Sequence, residues 1–242
     1  MLNITNDVTW DPGAPANSTS TVFGNSLSLF DQHTLKVTGN ETIGGNGAFN
    51  LTLNAGTKHI VTGDISLKTG SLLTVYSTGL SYGTFVQAGG TIAGSSFRNS
   101  TNFVYDSGLV QTQFINAGTV SFGARWSISG SLQNETSMSV AGGQTLSATG
   151  GITNLGNFTI SSGTIGSGGQ VTNTVSGILT AHGTITPQVT NQGTLIVDGP
   201  LMAAITNTGI VHGAGTVTSP SNSFANNAGG VVNATTPGGA LA

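Results

Sequence analysis

The sequence predicts an all-β fold, a right-handed parallel β-helix (β-solenoid) whose coils contain about 18 residues. Three observations support this prediction. A short apolar–Asn–Gly–apolar pattern recurs along the chain. No segment shows a sustained 3.6-residue apolar period. The chain contains 38 glycines but is only 5% charged, so Ser, Thr, Asn and Gly must cover its surface, where a typical domain uses charged residues.

The repeat reads apolar, any residue, Asn, any residue, small, small, apolar, any residue, apolar. Its clearest copies are 114–122, 152–160 and 189–197. Val120 and Phe122 lie two residues apart and therefore point to the same face of a strand. Asn and Gly tolerate left-handed backbone angles, so they supply the corner between strands. One coil cannot bury its own apolar face, and successive coils must stack.

The repeat asparagines are predicted to form a structural row at one corner, where each side-chain amide bonds the next coil. The predicted members are Asn99, Asn116, Asn134, Asn154, Asn173, Asn191, Asn207 and Asn227. Subtracting each number from the next gives steps of 17, 18, 20, 19, 18, 16 and 20. Such steps are typical of coils whose loops vary in length while their strands do not.

Two core rows follow from the same alignment, because stacked coils place equivalent residues over one another. The first is Phe97, Phe114, Leu132, Ile152, Val171, Val189 and Ile205. The second is Phe103, Val120, Met138, Phe158, Leu195, Val211 and Val231. We expect one structural domain, with a cap at residues 1–35, the solenoid at 36–232 and a tail at 233–242.

The copies at 152–160 and 189–197, with the shorter match at 205–209, resemble repeats of filamentous-haemagglutinin-like adhesins and autotransporter passenger domains. The resemblance covers about residues 97–232. It implies a secreted protein at the cell surface, built as a right-handed parallel β-helix that serves adhesion or surface structure. Those families also carry a membrane or secretion domain that this sequence does not show, so we expect either a fragment or a free-standing protein.

Charge and hydropathy narrow the possible partners. The 5 Lys and Arg residues are too few to neutralise a nucleic-acid backbone. The apolar stretches are far shorter than the roughly 20 residues that span a bilayer, so no transmembrane segment is expected. We expect no nucleic-acid partner, but self-association or binding to a glycan or protein on a host or other surface.

The titratable residues predict no catalytic site, no metal site and no cofactor. Glycoside cleavage needs two carboxylates close together, and only the pairs Asp11–Asp31 and Glu41–Asp64 approach the spacing of one coil. The four histidines are not spaced so as to stack, and we interpret them as loop or turn residues. We therefore expect a protein that is not an enzyme.

The leading hypothesis is a non-catalytic extracellular surface adhesin or structural stalk module. The alternative is a self-assembling extracellular filament subunit that polymerises end to end through its solenoid coils. A third class, a carbohydrate-active enzyme or a spike-like glycan binder, would need a cluster of carboxylates in the folded N-terminal third.

Overall fold

The computed structural model describes residues 2–4, 8–10, 26–30, 33–166, 168–219 and 224–234. It confirms an all-β parallel β-solenoid, with about nine coils spaced about 19 residues apart. No helix occurs among the described residues, and accordingly none is present there that could span a membrane. The right-handedness of the coils stays a prediction, which rests on the general preference of parallel crossovers.

The chain divides into two compact units, residues 1–114 with 118–122 and residues 115–117 with 123–242. The strands of the first unit are β1 (Leu2–Ile4), β2 (Val8–Trp10), β3 (Ser26–Leu29), β4 (Thr34–Val37), β5 (Glu41–Ile43), β6 (Asn50–Leu53), β7 (Lys58–Val61), β8 (Ile65–Lys68), β9 (Leu72–Val75), β10 (Gly79–Ser81), β11 (Thr84–Gly94), β12 (Ser96–Asn99), β13 (Asn102–Val110) and β15 (Thr119–Phe122). The division passes through β14 (Gln113–Asn116).

The strands of the second unit are β16 (Arg125–Ile128), β17 (Leu132–Asn134), β18 (Ser137–Ala141), β19 (Thr145–Ala148), β20 (Ile152–Asn154), β21 (Asn157–Ile165), β22 (Val171–Asn173), β23 (Ile178–Asn191), β24 (Thr194–Asn207), β25 (Ile210–Gly213), β26 (Thr216–Thr218), β27 (Phe224–Asn226) and β28 (Val231–Ala234). Most of them alternate buried and partly exposed residues, as expected for strands with one face on the core.

Aromatic side chains fill the core of the first unit. The rings of Phe97 and Phe103 lie 5.7 Å apart edge to face, and those of Phe97 and Phe114 stack at 5.5 Å. Phe85 joins them, 5.0 Å from Phe97. Contacts of this kind add to the burial of apolar area. Val120 pairs with Phe103 in register but is only half-buried.

Apolar rows run through the second unit in unbroken register. In the first row, Leu132 pairs with Ile152, and the series continues through Val171, Val189 and Ile205. The second row runs through Met138, Phe158, Leu179, Leu195 and Val211. Leu179 was missing from the predicted row, because it follows Asn173 by 6 residues, whereas Phe158 follows Asn154 by 4. Every residue of both rows is buried.

The outer parts of the chain extend the same pairing. β1 and β2 fall inside the predicted cap, yet they pair in parallel with β4 and β5. Much of the predicted cap lies outside the described residues. At the other end, β28 pairs with β25 so that Val232, and not the predicted Val231, stands opposite Val211. Residues 235–242 of the predicted tail lie outside the described residues.

Candidate functional site

The repeat asparagines of the second unit form one continuous series of side-chain hydrogen bonds. From Asn116 to Asn207 each side chain is 0% exposed. Each Nδ2 donates to the Oδ1 of the next member, at 2.9 Å (Asn116 to Asn134), 2.9 Å (Asn134 to Asn154), 2.8 Å (Asn154 to Asn173), 2.7 Å (Asn173 to Asn191), 2.7 Å (Asn191 to Asn207) and 2.7 Å (Asn207 to Asn226). We call this series the asparagine row.

From Asn134 to Asn207, each amide in the row also bonds backbone carbonyls of its own corner and of the next coil. Nδ2 of Asn154 donates to the carbonyl oxygens of Gly156 and Ile178, both at 3.0 Å. A buried polar group must find hydrogen-bond partners. Here the side-chain amides donate to backbone carbonyls at the corners, where the chain leaves the strands. The row therefore joins consecutive coils at the point where the strands stop.

The last member of the row is Asn226, which corrects the predicted Asn227. Ile205 pairs with Phe224, so Asn207 stands opposite Asn226. The observed step from Asn207 to Asn226 is 19 residues, one fewer than the predicted step of 20 to Asn227, and because two asparagines are adjacent here the repeat pattern misassigned the register by one residue. Asn227 instead forms a backbone hydrogen bond, in which its backbone N–H donates to the carbonyl oxygen of Asn207 at 2.8 Å.

Asn99 belongs to the first unit, where it has different partners. Its Nδ2 donates to the carbonyl of Thr119 at 2.8 Å. Its Oδ1 accepts the hydroxyl of Tyr82 at 3.1 Å. Tyr82 is only 5% exposed, and burial raises the pKa of its phenol well above the ordinary value of 10.0.

The buried phenol predicts a loss of stability in alkali. Above pH 10 the unfolded chain releases the Tyr82 proton while the folded chain retains it. The stabilisation is complete below the unfolded pKa and is lost as pH rises, by up to about 1.4 kcal/mol per pH unit. We expect Tyr82→Phe to flatten this decline in urea titrations between pH 9 and 11. The matched control is Tyr76→Phe, at an exposed tyrosine; equal slopes for both variants would contradict the prediction.

A second buried polar contact in the first unit joins two titratable groups. Nε2 of His59 lies 2.6 Å from Oε2 of Glu41, and both side chains are 0% exposed. Nδ1 of His59 has no hydrogen-bond partner among the described residues. His59 sits in β7 between Leu35 and Leu80 of the neighbouring coils, so the imidazole replaces an apolar residue in a core row.

The carboxylates considered as a catalytic pair have separate partners. Glu41 faces His59, whereas Oδ1 of Asp64 accepts the backbone N–H of Thr84 at 2.6 Å. Asp11 and Asp31 lie outside the described residues. The described part of the chain contains no group of three or more residues suited to hold a metal ion.

The prediction that the histidines lie in loops or turns is wrong for three of the four. His59 lies in β7, His182 in β23 and His212 in β25, while His33 lies between strands. Nδ1 of His182 contacts Asp198, and its Nε2 contacts Ser162. The steps from 162 to 182 and from 182 to 198 are 20 and 16 residues. Both steps are close to the length of one coil. In the sequence the histidines were compared only with one another, and so it was not detected that His182 is one coil away from Ser162 and from Asp198.

These contacts have the same cause. Stacking brings equivalent positions of consecutive coils within hydrogen-bonding distance, and their side chains therefore form series across the coils. The asparagine row is the longest such series, and its chemistry is that of a scaffold, because amides neither titrate nor act as nucleophiles at ordinary pH. No family model, curated protein or solved structure matches this chain.

Proposed function

We propose that the chain is an extracellular surface adhesin or structural stalk module, whose solenoid holds binding surfaces at a fixed spacing. The observation that carries this proposal is the asparagine row. Its bonds join coil to coil without interruption from Asn116 to Asn226. A series of this kind stabilises the stacking and the register of the coils, which is what a rigid scaffold requires.

The surface composition supports a location outside the cell. The chain has no cysteine and only 5% of its residues are charged, so its stability depends on no disulfide and its surface carries few ion pairs that salt would screen. Outward positions repeat hydroxyl side chains, as where Thr153, Thr172, Thr190 and Thr206 follow one another in register. Rows of uncharged hydroxyl groups can form hydrogen bonds with a glycan or a protein surface, and they do not favour partners of one charge over the other.

The alternative function, an extracellular filament subunit, is favoured by the last coil that the structure describes. Val232 pairs with Val211, which is fully buried, yet Val232 is 36% exposed and its neighbour Val231 is 44% exposed. Asn226 is exposed as well, and its amide donates to the carbonyl of Gly230. A further coil with the same repeat would bury these groups, and a second copy could supply it by strand addition.

Negative-stain electron microscopy across a concentration series distinguishes the two functions. For a surface module we expect discrete single particles at every concentration, and light scattering that reports the monomer mass. Binding to a glycan array or to immobilised cell-surface proteins would then identify the ligand class. Fibres that lengthen with concentration would overturn the module in favour of the filament. In that case Val232→Lys, which places a charge in the exposed coil, should abolish the fibres, while Val175→Lys, at an exposed position elsewhere, should not.

A further inference from the structure

Three side chains on consecutive coils of the second unit form a hydrogen-bonded series. The hydroxyl of Ser162 lies 2.8 Å from Nε2 of His182. Nδ1 of the same imidazole lies 3.1 Å from Oδ1 of Asp198. The histidine thus uses both nitrogens, one toward a hydroxyl and the other toward a carboxylate.

The chemistry of these groups fixes the direction of each bond. An ionised carboxylate only accepts hydrogen bonds, so Nδ1 of His182 carries the hydrogen that Asp198 accepts. The neutral imidazole then presents its lone pair at Nε2, and the Ser162 hydroxyl donates to it. A hydroxyl, a base that can take its proton and a carboxylate that orients the base are the three parts of an activated serine nucleophile.

The backbone places Ser162 by an irregularity in β21. Ala141 of β18 pairs with both Ser161 and Ser162, and the ladder to β23 passes from Ser161 directly to Gly163. Ser162 has φ of 59°, and it is the only non-glycine residue with positive φ in the described part of the chain. Strained backbone of this kind persists where the surrounding structure imposes it, and it clusters at functional sites. The bulge directs this serine toward the imidazole of the next coil.

A glycine beside the histidine leaves room for its ring. A Cβ at Gly199 would lie 2.8 Å from Cβ and 3.1 Å from Cγ of His182. No other residue type fits there without moving the imidazole. Gly199 follows Asp198 directly, in a stretch of β24 where the register to β23 shifts, so the segment that presents the carboxylate also lies close to the ring.

An open pocket of about 370 Å³ is lined by residues that follow His182 in β23 and Asp198 in β24, together with Thr218 of β26. Its lining begins at Gly183, the residue after His182, and includes Pro200, Leu201 and Met202, just beyond Asp198. These side chains are apolar, and a pocket of this size accepts a small group. None of the described residues that line the pocket is charged, so its lining offers no cation to attract an anionic substrate.

We propose that Ser162, His182 and Asp198 form a serine hydrolase site that cleaves neutral esters of short acyl chains, such as acetyl esters. The Ser162 oxygen attacks the ester carbonyl while His182 Nε2 takes the hydroxyl proton. The C–O bond to the alcohol breaks, and the alcohol leaves with that proton. Water then attacks the acyl-serine, again giving its proton to His182, and releases the carboxylic acid and the free serine. Asp198 holds the tautomer and stabilises the imidazolium during both steps.

This activity goes beyond the proposed scaffold function and does not depend on it. His182 is 30% exposed and Asp198 is 48% exposed. Solvent weakens the electrostatic effect of the carboxylate, so we expect slow turnover on activated esters. The sequence predicted a protein that is not an enzyme. That prediction expects no ester hydrolysis, so the experiment below tests both views.

The test is hydrolysis of p-nitrophenyl acetate by the purified chain, together with labelling by a fluorophosphonate probe and mass spectrometry of the labelled peptide. We expect the label on Ser162 and hydrolysis well above that of buffer. Ser162→Gly is the informative variant, because glycine adopts a positive φ without strain. This variant should not be labelled, and its rate of ester hydrolysis should be lower than that of the wild type by about tenfold or more. The neighbouring substitution Ser161→Ala should change neither.

Two further variants separate catalysis from structure. His182→Gln should abolish labelling, and Asp198→Asn should lower the rate by about tenfold or more, while the melting temperature of both variants stays within a few degrees of the wild type. No label on the wild-type chain would overturn the proposal. A label that persists in His182→Gln would overturn it as well, and so would variants that lose thermal stability while the rate follows only the folded fraction.

Discussion

Replacing Asn154 by leucine is expected to lower the free energy of unfolding by roughly 3–5 kcal/mol, since several buried hydrogen bonds are lost and their partners stay buried. The substitution removes the bonds from Nδ2 of Asn154 to Asn173, Gly156 and Ile178. It also removes Oδ1 of Asn154, which accepts from Nδ2 of Asn134. Leucine fills the volume but satisfies none of these groups.

Urea denaturation followed by circular dichroism measures this loss as a lower midpoint. The matched control is Asn157→Ser, three residues away at an exposed strand position, which should stay within about 0.5 kcal/mol of the wild type. A loss for Asn154→Leu no larger than that of the control would show that the asparagine row does not hold the coils together. Solenoids can unfold in more than one step, so the midpoint and the slope should both be compared.

Replacing Glu41 by leucine is expected to lower the free energy of unfolding by roughly 3–5 kcal/mol, because breaking a buried pair from one side leaves the other polar group without its partner. His59 would then lie 0% exposed with Nε2 deprived of its carboxylate and Nδ1 already without a partner among the described residues. The neighbouring core residues Leu35 and Ile65 offer no hydrogen bond in exchange.

The double variant Glu41→Leu/His59→Leu should recover most of that stability, since well-packed apolar residues often replace a buried pair at little cost. A double-mutant cycle with His59→Leu gives the coupling between the two side chains. Additive effects in the cycle would contradict a direct interaction at 2.6 Å. If the double variant were as unstable as Glu41→Leu, the cavity or packing change, and not the lost pairing, would be the cause.

The asparagine row and the Ser162–His182–Asp198 series arise from the same geometry. In stacked parallel coils, equivalent residues lie about 4.8 Å apart. Side chains of three successive coils can therefore form a series of hydrogen bonds, although they are separated by 16–20 residues in the sequence. Amides placed in this way stabilise the solenoid, whereas a hydroxyl, an imidazole and a carboxylate placed in the same way can activate a nucleophile.

The sequence by itself determined the fold class and most of the repeat. Alternation of apolar residues defines which face of a strand is buried, and Asn with Gly marks the corners. These signals are local. They recur in many coils, so the pattern is recognisable even where a single coil departs from it. For this reason the predicted core positions such as Ile152 and Phe158 coincide with buried residues that pair with the next coil.

Only the tertiary structure decided the register between individual coils. Loops of unequal length shift the position of the next strand, which is why Asn226 replaces Asn227 in the row. The bulge at Ser162 and the pairing of Glu41 with His59 likewise depend on which residues of separate coils stand opposite each other. Stacking minimises the free energy of all coils together, so a contact between two coils depends on packing that no single repeat encodes.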